Sequence, residues 1–180
     1  MKFIKTTADE HLGLSAVYFL EVIMNDIRII KIRKSEIIKA WLLQRKGFKE
    51  TLKKYKDYKT SPATESLIRF YHKFSKQSAD NYWVFYNNKI AGAICIVSKP
   101  DCMWIGKFYI LPEFRNKGIG QQALPLAEGL YPDAKRWRLD TIFEEKNNIH
   151  LYKKLGYIEY GEHKTVNDKM TLINFQKEIE

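Results

Sequence analysis

Cysteine is scarce in this chain: two among 180 residues, Cys95 and Cys102. Both fall in or beside segments that read as strands, so they are expected to be reduced packing residues, not half of a disulfide framework. No His, Cys or carboxylate grouping has metal-ligand spacing, so no metal is expected. There is no nucleophile elbow, which argues against an acyl-enzyme. No apolar run approaches the ~18–20 residues that span a bilayer, so no membrane partner is expected. The start, MKFIKTTADEH, is polar where a signal peptide carries its apolar stretch. Export is therefore not expected, and the expected location is cytoplasmic. Repeats, low-complexity tracts and linkers are also missing. Acidic residues are the minority, 21 against 31 Lys and Arg, for a net charge of +10. That balance suits a nucleic acid, an acidic membrane or a polyanionic small molecule, and does not choose among them.

What is present is a large apolar fraction, 45%, with 14% aromatics. A chain of this length and composition can bury a real core, so one domain over residues 1–180 is expected. Its first part, 1–80, reads as a strand and helices, and 81–180 as the part that carries the motifs.

Lys2 to Thr7 reads as a strand. Ala8-Asp9-Glu10 suits a helix start, and apolar residues at helical spacing continue from Leu12 to Ile29-Ile30. From Ile32 to Tyr58 the chain is strongly basic, with Ile37, Ile38, Trp41, Leu42 and Phe48 as an apolar face. One or two amphipathic helices with a break near Gly47 are expected. Ser61 and Pro62 read as the N-cap and first residue of a helix through Phe74. Tyr82 to Tyr86 and Ile90 to Val97 form a hairpin around Asn87-Asn88-Lys89. Cys102 to Leu111 is the next strand. The helix after Gly118 contains Pro125 and should bend or restart there. Arg136 to Ile142 is a strand, Glu145 to Leu155 a helix stopped by Gly156, and Tyr157 to Tyr160 with Lys169 to Phe175 a closing hairpin.

The stretch from Lys107 to Gln122 organises the rest. An apolar strand ends at Pro112, a charged turn follows, and Gly118-Ile119-Gly120 opens a helix at Gln121-Gln122. Unpartnered amides and a positive dipole at that helix entrance make an anion cradle. Gly118 to Ala123 fits the dinucleotide pattern GxGxxG/A literally, with Asp140 at the expected ~20-residue distance. But Pro112 to Lys117 separate strand from glycine, and only 60 residues follow Gly120, too few for a second mononucleotide half.

Arg115-Asn116-Lys117-Gly118-Ile119-Gly120 resembles instead the R/Q-x-x-G-x-G/A signature of the GNAT superfamily of N-acetyltransferases. Asn148-Ile149-His150-Leu151-Tyr152-Lys153-Lys154-Leu155-Gly156-Tyr157 resembles that family's second conserved-looking segment, an asparagine followed by Leu-Tyr-x-Lys-Leu-Gly-Phe. The resemblance runs from about Tyr82 to Phe175. It implies an α/β (α+β) fold: a mixed, mostly antiparallel sheet of six to seven strands, a splayed fourth and fifth strand, and helices on both faces.

It also implies acetyl-CoA as co-substrate. Arg115, Asn116, Lys117, Gly118, Ile119, Gly120 and Gln121 would hold its diphosphate. The backbone of Phe108, Tyr109 and Ile110 would pair with the pantetheine arm and polarise the thioester. Tyr152 aligns with the family's general acid toward the thiolate. Asn148, four residues earlier, shares its helical face, with Asn147 as the alternative. The general base stays open among Asp140, Glu144, Glu145, Glu10, Asp101, His72 and His150, directly or through water.

The reading that follows is transfer of an acetyl group to a primary amine of a small molecule or peptide by direct attack. One alternative is a silent acyl-CoA-binding sensor. Another is a nucleic-acid-binding protein built on Lys34 to Lys59, although that segment shows no recognisable RNA- or DNA-binding module. A homodimer is left open.

Overall fold

The computed structural model describes residues 22–24 and 27–179. The strand expected at Lys2 to Thr7, the helix start at Ala8 and the candidate base Glu10 lie outside them. Among the described residues, eight strands form one sheet in the order β1-β2-β3-β4-β5-β6-β8-β7.

β1 (Val22–Met24) and β2 (Ile27–Lys31) pair antiparallel, Met24 opposite Ile27. The helical spacing expected to reach Ile29-Ile30 is thus replaced by strand. The reason is a partner: β2 pairs with β3 (Ala79–Tyr86), and Ile27 and Ile29 are fully buried on alternate positions. β-Branched side chains fit such a half-buried pleated surface.

β3 turns into β4 (Lys89–Ser98) through Asn87 and Asn88, both at positive φ (47° and 62°). Asparagine tolerates that region, which the hairpin twist requires. β4 pairs antiparallel with β5 (Met103–Ile110). Among the described residues, the one parallel contact joins β5 to β6 (Arg136–Ile142), and the crossover it needs contains α3 (Ile119–Glu128). α4 (Lys146–Lys154) follows, then β7 (Ile158–Asn167) and β8 (Met170–Glu178), with β8 placed between β6 and β7.

The helices divide between the faces. α1 (Ile37–Tyr55) and α2 (Leu67–Phe74) bury Ala40 and Phe70 against Trp83, Ala93 and Tyr109. On the other face α3 and α4 bury Leu124, Ala127 and Tyr152 against Ile94, Ile105 and Leu139. No helix among the described residues is long and apolar enough to cross a membrane.

Three local expectations change. α1 runs unbroken through Gly47, which is buried. Ser61 caps only a short 3-10 turn, Pro62–Thr64, and Ser66 caps α2, its Oγ accepting from the Arg69 amide at 3.3 Å. α3 continues through Pro125. Proline removes one main-chain bond there, but Leu124, Leu126 and Ala127 around it are buried and hold the segment to the sheet.

Candidate active site

β5 and β6 pair over three residues only: Met103 with Trp137, Trp104 with Arg138, Ile105 with Leu139. Beyond that point β5 stays with β4 as far as Ile110, and β6 stays with β8 as far as Ile142. The sheet therefore splits between Gly106–Ile110 and Asp140–Ile142. The split starts at a bulge. Cys95 faces Lys107 and Ile96 faces Ile105, so Gly106 is the extra residue. A bulge bends its strand and raises its twist, which turns β5 away from β6.

The bulge also decides which amides look into the gap. Leu111 N–H donates to the Ala91 carbonyl at 2.8 Å. Alternation then aims the main-chain groups of Lys107 and Tyr109 at β4 and those of Phe108 and Ile110 at the gap. The Ile110 carbonyl indeed accepts from outside the sheet, from Arg115 Nε at 3.1 Å.

After β5 a 3-10 turn, Pro112–Phe114, leads into the loop. Asn116 (φ 59°) and Gly118 (φ 71°) both adopt the left-handed region. Gly118 is the N-cap of α3 and supplies no side-chain cap. The amides of Asn116, Lys117, Gly118, Ile119, Gly120 and Gln121 find no acceptor among the described residues, and the helical ladder begins with Gln122 N–H to the Gly118 carbonyl at 3.3 Å. This curl of free N–H groups at a helix entrance suits a diphosphate. Gly120 has a second duty: a Cβ there would stand 3.3 Å from Leu151 Cδ2 and 3.5 Å from Phe108 Cε1. It keeps α3 close to α4 and β5.

The two cations of the loop part company. Lys117 lies beside the Phe114 and Tyr86 rings, 5.6 and 5.9 Å from their centres, with no ion pair among the described residues. Arg115 faces α1 instead. Its Nη2 donates to the Gly47 carbonyl at 3.0 Å and its Nη1 pairs with Glu50. It clamps α1 to the end of β5, so of the two loop cations Lys117 is the one without an ion pair among the described residues.

Tyr152 projects from α4 into the core, its ring 5.9 Å from that of Tyr157 and 6.0 Å from that of Phe175. The hydroxyl of Tyr157 donates to Glu128 at 2.7 Å, whereas that of Tyr152 has no hydrogen-bond partner among the described residues. Burial, and after it the charge of Asp140, raise the Tyr152 pKa above that of an ordinary phenol. Asn148 reaches Thr141 Oγ1 with its Nδ2 at a long 3.4 Å; Asn147 is exposed.

The candidate bases separate sharply. Glu145 accepts from Lys54 at 2.8 Å and Tyr55 at 2.6 Å. Glu144 accepts from the Thr171 amide, and Asp101 pairs with Arg138 at 2.6 Å. His72 packs on Tyr71 on the outer side of α2, and His150 is exposed on α4. Asp140 is the first β6 residue past the pairing with β5.

Two features of the site escaped sequence reasoning. One is the Gly106 bulge, although a glycine inside a strand was a usable signal. The other is a buried polar cluster on the α1 side of β5. Glu65, 4% exposed, receives Lys107 at 2.9 Å, Lys73 at 2.6 Å and Gln44 at 2.9 Å. No local pattern links these four positions.

The sequence model of the acetyltransferase (GNAT) family matches residues 45–157, which contain the loop, the gap and Tyr152. The chain belongs to this family. A curated relative, the uncharacterized protein YrkN of Bacillus subtilis, is 34% identical over 96 residues, 50% of this chain and 52% of that protein. The chain thus spans about half the length of the curated relative it matches. Among solved structures, the ribosomal alpha-N-protein acetyltransferase RimL in complex with coenzyme A superposes with a TM-score of 0.70 at 16% identity, covering 87% of this chain and 96% of that one. The self-immunity acetyltransferase MccE with acetyl-CoA and AMP gives 0.67 at 16% identity, covering 87% and 94%. Spermidine N-acetyltransferase of Vibrio cholerae with CoA and spermine gives 0.65 at 12% identity, covering 84% and 94%. At these identities the likeness concerns the fold.

Proposed function

We propose that this protein transfers the acetyl group of acetyl-CoA to a primary amine of a small molecule or peptide. The observation that carries the reading is the run of acceptor-free amides from Asn116 to Gln121, set beside a sheet opened between β5 and β6. An amine acceptor is supported by the kinship in fold with enzymes for a ribosomal protein's alpha-amino group and for spermidine.

The diphosphate sits on the amides of Asn116 to Gln121, with Lys117 as counter-charge and Asn148 at the side. The pantetheine arm lies along Phe108, Tyr109 and Ile110 as an additional strand. The gap-facing N–H groups of Phe108 and Ile110 bond its carbonyls and polarise the thioester, whose oxygen becomes an oxyanion as the amine attacks. Holding thioester and amine together removes much of the entropic barrier. The carbon–sulfur bond then breaks.

Tyr152 meets the departing sulfur. A phenol raised above ~10 does not surrender its proton outright to a thiolate whose thiol has a pKa of ~8.5. Its part is to donate a hydrogen bond as negative charge grows on sulfur, and to relay a proton that the amine nitrogen supplies. No acyl-enzyme is required.

Calorimetry with coenzyme A and thiol release from acetyl-CoA over a panel of primary amines test the reading together. Binding plus release with at least one amine is expected. Absence of coenzyme binding ends it, and binding without release from any amine favours a coenzyme-sensing module.

A further inference from the structure

The geometry points to Asp140 as the residue that takes the proton from the acceptor amine, with the amine entering on the α1/α2 face of the sheet. This rests on the transferase reading above. Along β6, Leu139 and Thr141 are buried, and Leu139 packs on the α3/α4 side. Alternation turns Asp140 to the opposite face. There it lies in register with Asn174 of β8 and, beyond it, Tyr160 of β7. Its neighbour on the β5 side is the gap, because pairing with β5 ends one residue earlier, at Leu139. Across the gap stands the bulged Gly106, which has no side chain to fill the space, and a Cβ there would meet nothing closer than 3.5 Å.

Tyr152 is packed on the α3/α4 side of the sheet, near enough for the Asp140 charge to act on it. The two groups lie on opposite faces of the sheet. That is the disposition a transfer needs, with one group for the proton leaving nitrogen and another for the sulfur.

The carboxylates around Asp140 are committed elsewhere: Asp101 to Arg138, Glu144 to the Thr171 amide, Glu145 to Lys54 and Tyr55, Glu65 to Lys73 and Lys107. Asp140 has no ion pair or side-chain hydrogen bond to another described residue. Its side chain is exposed to solvent, yet desolvation by the residues packed around it raises its pKa. The charged and titratable groups that face it are Lys99 from the β4–β5 turn, Lys164 and Tyr160 from β7, and Tyr152 from α4. The lysines oppose the upward shift without pairing. A carboxylate with a raised pKa is a stronger base toward an ammonium.

In the step itself, one ammonium proton passes to an Asp140 carboxylate oxygen. The freed lone pair forms the C–N bond at the thioester carbon. As the C–S bond breaks, the second nitrogen proton reaches sulfur by way of the Tyr152 hydroxyl. Asp140 then returns its proton to water. The products are an amide, the free thiol and one proton.

The test uses the full chain, its Asp140→Asn and Asp140→Glu variants, acetyl-CoA, and putrescine and a free-amino-terminal lysine peptide as acceptors. Coenzyme A binding by calorimetry is expected to agree within about twofold between wild type and D140N, since Asp140 bonds nothing that shapes the cradle. Turnover of D140N should fall at least about a hundredfold, the scale of a positioned base. D140E should restore part of it. In wild type the rate climbs as Asp140 ionises, and D140N should lose this limb and keep only the rise set by the amine. D140N within about threefold of wild type, or retaining that limb, overturns the assignment, and so does loss of coenzyme binding in D140N. A wild type that releases no thiol with these acceptors or with any other primary amine of the panel overturns the transferase reading itself, and the assignment with it.

Discussion

Gly47 of α1 lies directly against the ring of Tyr109 of β5: a Cβ on Gly47 would stand 2.3 Å from Tyr109 Cδ2. The contact draws α1 down onto the strand that borders the gap. Arg115 then reaches the Gly47 carbonyl, and Phe48 packs edge-on against Tyr109 with ring centres 5.4 Å apart. A glycine that looks like a helix break is a docking notch.

Gly47→Ala sets two effects against each other. Alanine improves helix propensity by about 1 kcal/mol. Overpacking costs about 1–3 kcal/mol, and the Tyr109 ring it would press on is 8% exposed. A net loss of about 1 kcal/mol is expected in urea denaturation, partly recovered by adding Tyr109→Leu. An unfolding midpoint equal to wild type would show that the notch carries no weight.

Gly118 and Gly120 should fail differently. At Gly118 the nearest atom to a new Cβ is Gln122 Nε2 at 3.9 Å, so space is free and only the left-handed conformation resists, by about 1–2 kcal/mol. Gly118→Ala should leave the protein folded and weaken coenzyme A binding about tenfold or more, as the free amides are re-aimed. Gly120→Val pushes on Leu151 and Phe108 and should lower the melting temperature as well. Calorimetry and thermal unfolding on both variants separate the two, and unchanged affinity in G118A would remove the cradle from the account.

Tyr152→Phe removes a hydroxyl that bonds no described residue and keeps the ring. Stability within about 0.5 kcal/mol of wild type is expected, as for a change that breaks no named contact. Coenzyme affinity should hold while kcat falls about a hundredfold, as for loss of a positioned proton donor. Tyr157→Phe is the control. It strips the bond to the buried Glu128, leaves that carboxylate to Lys177 alone, and should cost about 1–3 kcal/mol of stability. An active Y152F enzyme would exclude the proposed role.

Glu65 links stability to pH. Burial alone would raise its pKa, but Lys73, Lys107 and Gln44 outweigh that and hold it at about 2. The folded value is below the unfolded one, ~4.3, so the stabilisation is complete above the unfolded pKa and disappears as pH falls from about 4.5 to 2. Glu65→Gln leaves Lys107 without its anion and should cost about 3 kcal/mol at neutral pH. The gap between wild type and variant should close on acidification through that window. A pH-independent gap would mean that packing, not charge, holds the cluster.

The sheet from β3 to β6 was readable because its signals are local: Asn87-Asn88 at the turn, Pro112 at the strand end, Gly156 after the helix. The two motif segments that pointed to the family were readable for the same reason, since each lies within a few consecutive residues. Ile27 and Ile29 were not, because a β-branched run has no strand to join until Val84 comes alongside it. Nor could local propensity reveal that Pro125 would be held in a continuous helix by buried neighbours. Arg115, expected at the diphosphate, was drawn to Gly47 and Glu50, more than sixty positions earlier.

Residue order thus settles where strands, turns and the glycine-bearing loop form, since each depends on backbone preferences and side chains a few positions apart. Which cation stays free, which carboxylate goes unpaired and where the sheet opens follow from packing. Glu145 is held by Lys54 and Tyr55, while Asp140 has no side-chain partner among the described residues, because chain folding brings α1 across to the start of α4 and separates β6 from β5. Charge pairing and strand separation are set by distances between remote segments, and those distances exist only after the core has formed.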